Sequence, residues 1–175
     1  MGVKRRTFIQ AGLAGSALLA FASCGPGASV NGPLDDARVY AFLSPSQRTV
    51  VAAIASAMLS ASIPAGPTRL PALLATVRSF DSAAAGLIPS SQDELRQLLN
   101  LLQRPLTRWF TTGIASSWER AGDDTVAAFL TRWRFSNFTL FRSGYAGLHQ
   151  LVMQSWYAYP RAWQAIGYPG PPKVG

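Results

Sequence analysis

The chain is poor in the residues that most often carry covalent and metal chemistry. One cysteine, Cys24, among 175 residues excludes an internal disulfide, a Cys-x-x-Cys-His haem attachment and a cysteine-held iron–sulfur cluster. The single histidine, His149, has no carboxylate three or four residues away, so it cannot seed a zinc site on its own helix. A catalytic role for it would need a positioned second group, which the sequence does not supply. The eight acids come as Asp35-Asp36, Asp93-Glu94 and Asp123-Asp124, with Asp81 and Glu119 isolated. Adjacent residues do not face each other on a helix, so no pair is a ready acid–base dyad. The pairs read instead as helix starts. Period-two alternation is also missing, as are Asn-Gly or Asp-Gly turns between apolar runs, which argues against hairpins and sheets. Gly144 and Gly147 lack the strand context of a nucleotide fingerprint and are expected to allow close helix packing.

Apolar residues are plentiful at 49%, enough for a real core. The formal charge is +8, but Lys4, Arg5 and Arg6 account for three of the sixteen cations, leaving thirteen against eight acids, or +5, in the remainder. The arginines are spread singly from Arg38 to Arg161 with no nucleic-acid motif, so a solvated basic surface is expected and nucleic acid is not expected as a partner.

The first residues have a distinct layout. Lys4, Arg5 and Arg6 precede Thr7, Phe8, Ile9 and Gln10, and a weakly apolar run from Ala11 to Ala22 follows. A charged start, a short apolar run and small residues at its end make an export signal. Gly12, Gly15 and Ser16 dilute the run, and a stable membrane span needs about 20 strongly apolar residues. Arg5-Arg6-Thr7-Phe8-Ile9 resembles the twin-arginine (Tat) signal, which implies export of an already folded protein and engagement of the Tat translocon by Arg5, Arg6 and Phe8.

Two processing outcomes fit this end. Phe21-Ala22-Ser23-Cys24 resembles a lipobox, in which Cys24 is lipidated and becomes the new terminus. Ala20-Phe21-Ala22 is an Ala-x-Ala pattern whose cleavage leaves Cys24 as a free thiol. Such a thiol is a liability in an oxidising compartment, which favours lipidation. Membrane attachment is expected only through the signal or this lipid anchor, on the periplasmic side of the inner or outer membrane. Residues 1–24 are thus read as the signal, 25–40 as a flexible linker in which Gly25 to Pro33 carry three Gly and two Pro, and 41–175 as one domain of ordinary size.

That domain is expected to be all-α, a small irregular bundle of about five or six helices. Ser44, Pro45 and Gln47 make a capping box for a first helix carrying Val50, Val51, Ile54, Ala57 and Met58 and ending near Ser62. A second helix spans about Pro71 to Phe80. Ser91-Gln92-Asp93-Glu94 reads as another capping box, before the stripe Leu95, Leu98, Leu99 and Leu102. Pro105 stops that helix, and a short one to Thr112 follows, with Trp109 and Phe110 either buried or exposed and Gly113 at its end. Asp123 or Asp124 caps a helix through Val126, Phe129, Leu130 and Trp133. Ser136 caps the longest one, about Asn137 to Ala158, with Phe138, Phe141, Tyr145, Leu148, Leu151, Val152 and Trp156 at helical spacing. Pro160 restarts a turn from Arg161 to Ile166.

The C-terminal texture differs again. Trp156, Tyr157, Tyr159, Trp163 and Tyr168 fall within thirteen positions, ahead of Pro169-Gly170-Pro171-Pro172. These rings either complete the core or form a partner surface, since Tyr and Trp are common interface anchors. The proline-rich tail is expected to lie extended, along another chain.

Phe42-Leu43-Ser44-Pro45 with Gln47-Arg48, Ile63-Pro64, then Trp133, Ser136, Arg142, Trp156-Tyr157, Pro160, Trp163 and Gly167-Tyr168-Pro169-Gly170-Pro171 resemble, together with the Tat-type start, the small third subunit of membrane-bound gluconate 2-dehydrogenases. The resemblance implies a non-catalytic accessory subunit that binds no cofactor itself. It implies a large partner, a signal-less FAD-dependent dehydrogenase of the glucose–methanol–choline (GMC) type acting on a sugar, sugar acid or alcohol, with FAD in that partner and in some complexes a cytochrome c subunit. The small chain would carry the folded flavoprotein through the Tat pore, gripping it with Trp156, Tyr157, Tyr159, Trp163, Tyr168 and Pro169. The rival reading is a stand-alone periplasmic lipoprotein that binds a small ligand between its helices or another envelope protein. The mass of the mature N-terminus checks the processing: a diacyl- or triacyl-modified Cys24 is expected, and a chain starting at Ser23 with a free thiol would contradict it.

Overall fold

A computed structural model describes residues 40–158 and 162–163. Among them the chain is all-α, as its periodicity predicts: α1 (Pro45–Met58), a 3-10 turn (Gly66–Thr68), α2 (Arg69–Ala85), α3 (Pro89–Gln103), α4 (Pro105–Thr112), α5 (Asp123–Arg134) and α6 (Thr139–Tyr157). The signal residues Arg5, Arg6 and Phe8, the anchor Cys24, and Tyr159, Tyr168 and Pro169 lie outside the described residues.

Helix α1 is the hub, packed against α2, α3 and α5 and touching α6. Val50, Val51, Ala52, Ile54, Ala55 and Ala57 are buried, so the helix is covered around most of its circumference. The alanines keep its neighbours close. Its start is the expected capping box: Ser44 N–H donates to Gln47 Oε1 at 3.0 Å and Gln47 N–H donates to Ser44 Oγ at 3.4 Å. The helix ends at Met58 rather than near Ser62. The N–H groups of Ser62 and Ile63 both turn back to the Leu59 carbonyl, which returns Ile63 to the core.

Several other boundaries differ from expectation. Helix α2 runs further at both ends than Pro71 to Phe80; its earlier start is tolerated because Pro71 falls in the first turn, where a missing N–H costs no hydrogen bond. Helix α3 starts at Pro89, not at a Ser91 box: Ile88 is the N-cap and no side chain caps it. Gln92 instead donates back to the carbonyls of Ala85 and Leu87, closing the end of α2. Pro105 follows the end of α3 and also begins α4, a proline at N1. Neither Asp123 nor Asp124 is a cap. Gly122 holds that position and both acids sit in the first turn of α5, where negative charge suits the helix dipole. Ser136 is likewise not the cap of α6. Phe138 is, and Ser136 Oγ accepts the Phe138 N–H at 3.1 Å one step outside the helix.

The core is continuous through Val77, Phe80, Leu99, Leu102, Val126, Phe129, Leu148 and Val152, all essentially inaccessible. Arg69 ties three helices together: Nη2 donates to Ser56 Oγ on α1 at 2.8 Å and to Asp123 on α5 at 2.7 Å. Gly113 ends α4 in the left-handed region at φ 71°, its N–H donating to the Trp109 carbonyl. A residue with a Cβ is strained there.

The most demanding buried group is Asp81, on α2 and 2% exposed. Its carboxylate accepts the backbone N–H groups of Ala41 at 2.7 Å, Phe42 at 2.9 Å and Leu43 at 2.6 Å. Three amide donors converging on one carboxylate replace the water it loses on burial. Asp81→Ala leaves those donors without their acceptor. We expect a stability loss of about 2–4 kcal/mol in urea or thermal unfolding, with a smaller loss for Asp81→Asn, which keeps one acceptor oxygen. A change within about 0.5 kcal/mol for Asp81→Ala would contradict the assignment.

Candidate functional site

Two surfaces stand out. The first is a groove of about 700 Å³ between α3 and α6. Leu95, Leu98, Leu101, Trp133, Phe141 and Leu151 supply its apolar lining, and Ser91, Glu94, Gln97, Ser143, Gln150 and Gln154 its polar lining. Gly144 and Gly147 leave room for it. The two glycines, however, do different things. A Cβ on Gly144 would lie 3.1 Å from Cζ3 of Trp133, whereas one on Gly147 would meet nothing within 4 Å. Close packing therefore explains Gly144. Gly147, expected to serve the same end, instead opens onto free space.

The second feature is a pair of apolar, exposed patches. On α4, Leu106, Trp109 and Phe110 point outward, with Phe110 77% exposed. Their spacing of three and four places them on one helix face. At the corner joining α5 to α6, Phe135, Phe138 and Leu140 are about as exposed, Phe135 at 72%. Large apolar side chains grouped within one helix or one corner mark contact surfaces more often than single exposed ones do.

The corner rests on a line of rings. Trp118 meets Phe129 edge-on at 5.8 Å, Phe129 meets Trp133 at 5.5 Å, Trp133 stacks on Phe141 at 5.1 Å, and Phe141 meets Phe138 at 5.9 Å. Trp118, Phe129 and Trp133 are buried and Phe138 is not, so the line runs from the core to the surface. Hydrogen bonds pin it: Trp118 Nε1 donates to the Leu102 carbonyl and Trp133 Nε1 to the Thr111 carbonyl, each at 2.9 Å. Arg132 donates to the Thr112 carbonyl. Buried Arg108 donates to the carbonyl of Ile114 at 3.2 Å, fixing the loop after α4.

The sequence-predicted residues are dispersed by comparison. Trp156 is buried at 3%, so it completes the core and does not belong to an exposed grip. Tyr157 is exposed, and Trp163 is half-buried with its indole N–H donating to the Tyr157 carbonyl at 2.7 Å. His149 lies on the surface of α6 with its ring 5.6 Å from that of Tyr145. Phe138, placed by its spacing on the apolar stripe of α6, is exposed instead. No described helix is long and apolar enough to cross a membrane. Among the described residues no three His, Cys, Asp or Glu side chains gather as a metal site.

The exposed corner was not predicted. The usable signal was Phe135 and Phe138 bracketing Ser136-Asn137, a turn where large rings have little to pack against. Comparisons with protein-family models, with curated protein sequences and with solved structures found no match to this chain.

The two glycines yield paired expectations. Gly147→Ala adds helix propensity without a clash and should stabilise the fold by about 0.5–1 kcal/mol. Gly144→Ala meets a Trp133 ring held by stacking and a hydrogen bond, and should destabilise by about 1 kcal/mol. Chemical denaturation of both variants checks this, and equal effects would contradict the packing described.

Proposed function

We propose that this chain is a non-catalytic accessory subunit. In this reading it binds a signal-less FAD-dependent dehydrogenase of the GMC type, acting on a sugar, sugar acid or alcohol, and enables its Tat export and periplasmic maturation. The flavin belongs to the partner, and a cytochrome c subunit can complete the complex. The observation that carries the reading is the set of six large apolar side chains, Leu106, Trp109, Phe110, Phe135, Phe138 and Leu140, exposed on a helical body. A chain that acts alone gains nothing from them, whereas a subunit buries them against its partner. The Arg5-Arg6 start and the family resemblance supply the export half of the reading.

A second reading has one observation in its favour. The groove between α3 and α6 lies within the volume range of small-molecule sites and combines apolar and polar lining. A stand-alone lipoprotein holding a small ligand there would purify as a monomer.

Co-expression decides between them. With this chain present, the flavoprotein should reach the periplasm in active form. With Arg5-Arg6 changed to Lys-Lys, or without the chain, it should stay in the cytoplasm. An exported, active flavoprotein in the absence of this chain would refute the accessory role.

A further inference from the structure

The geometry points to the corner between α5 and α6 as the docking surface for an acidic, apolar-bearing face of the partner protein. This inference rests on the accessory-subunit reading and names the surface and chemistry of its contact. Phe135, Phe138 and Leu140 project there, and two exposed arginines flank them. The Arg134 guanidinium lies 5.2 Å from the Phe135 ring centroid and 6.0 Å from that of Tyr145. Arg142 is set by hydrogen bonds donated to the Ser136 carbonyl at 2.7 Å and to Thr139 Oγ1 at 3.2 Å.

Among the described residues neither arginine has an acidic mate. The ion pairs among the described residues are Arg69 with Asp123 and Arg96 with Asp93. The carboxylates of α5 are confined to its first turn, roughly 15 Å along the axis from Arg134. Between Thr125 and Ala158 the sequence holds no Asp or Glu, and Glu94 of α3 lines the neighbouring groove together with Leu140 and Phe141. Two arginines without acidic mates beside exposed rings are complementary to carboxylates set among apolar side chains.

A protein face fits better than a bilayer. Lipid surfaces are recognised by clusters of about 4–8 cations, and this corner presents two, of which Arg142 is held in a fixed direction by its hydrogen bonds. Fixed guanidinium forks match carboxylates at defined positions. The ring line behind Phe138 also holds the platform rigid before contact, which lowers the ordering cost of binding.

The test places the photo-crosslinking amino acid p-benzoylphenylalanine at Phe138 in the full chain, in cells, and at exposed Ser46 as a control. The expected result is one protein adduct from the Phe138 position, on a peptide carrying Asp or Glu beside apolar residues. Its yield should fall about tenfold in Arg134→Glu/Arg142→Glu and recover only in part in Arg134→Lys/Arg142→Lys, which keeps the charge but loses the guanidinium fork. Circular dichroism confirms that these surface variants fold. An adduct insensitive to charge reversal, an adduct to lipid or to a second copy, or no adduct overturns the inference, as does equal binding of phosphatidylglycerol vesicles by the original and charge-reversed chains. An acidic partner without flavin would leave this surface standing and remove the dehydrogenase reading. A flavoprotein that copurifies regardless of the charge reversal would do the opposite.

Discussion

A carboxylate buried on α2 determines where the chain joins its helical body. Asp81 collects three consecutive amide N–H groups from residues 41–43, and from that anchor the start of α1 follows. Leu43 is drawn into the core, its carbonyl accepts from Arg48 Nε at 3.2 Å, and Ser44 is left in position to cap the hub helix. Arg48 in turn lies 4.1 Å over the Tyr40 ring. A group this buried is tolerated only because its partners are complete. The constraint ties residues 41–43, near the start of the described chain, to α2.

With the hub set, the remaining helices close around it and the rings of α5 and α6 run outward. Trp118, Phe129 and Trp133 do core work, and their stacking continues to Phe141 and the exposed Phe138. A rigid core thus ends in a presented surface. Gly144 is part of the same arrangement, since a Cβ there would lie 3.1 Å from the Trp133 ring and press against it. Within the accessory reading, stability and recognition share these residues: loosening the ring line would blur the corner before it unfolded the domain.

The helical class, the α1 capping box and the buried stripes of α3 and α5 were legible because periodicity and caps report local physics directly. Caps failed where two signals competed. At Ser91 the fixed φ of Pro89 began the helix earlier, and at Ser136 the hydroxyl served a turn one residue outside α6. Exposure was the least legible feature. Spacing assigns Phe138 and Trp156 to faces of one helix, but only the neighbours decide which end is covered. The buried residues of α6 lie in its C-terminal half, from Leu148 to Trp156, while Thr139, Leu140 and Arg142 near its start are exposed. Asp81 was visible only as an isolated acid. Its position on the face of Val77, Phe80 and Ala84 was the signal that it must be paired.

The accessory role requires that the folded body exist to hold something larger. The most direct measurement is the native mass and flavin absorbance of the chain isolated from its native cells without denaturant. The account predicts one species heavier than the chain alone that carries a flavin spectrum. A solitary monomer without flavin would contradict it.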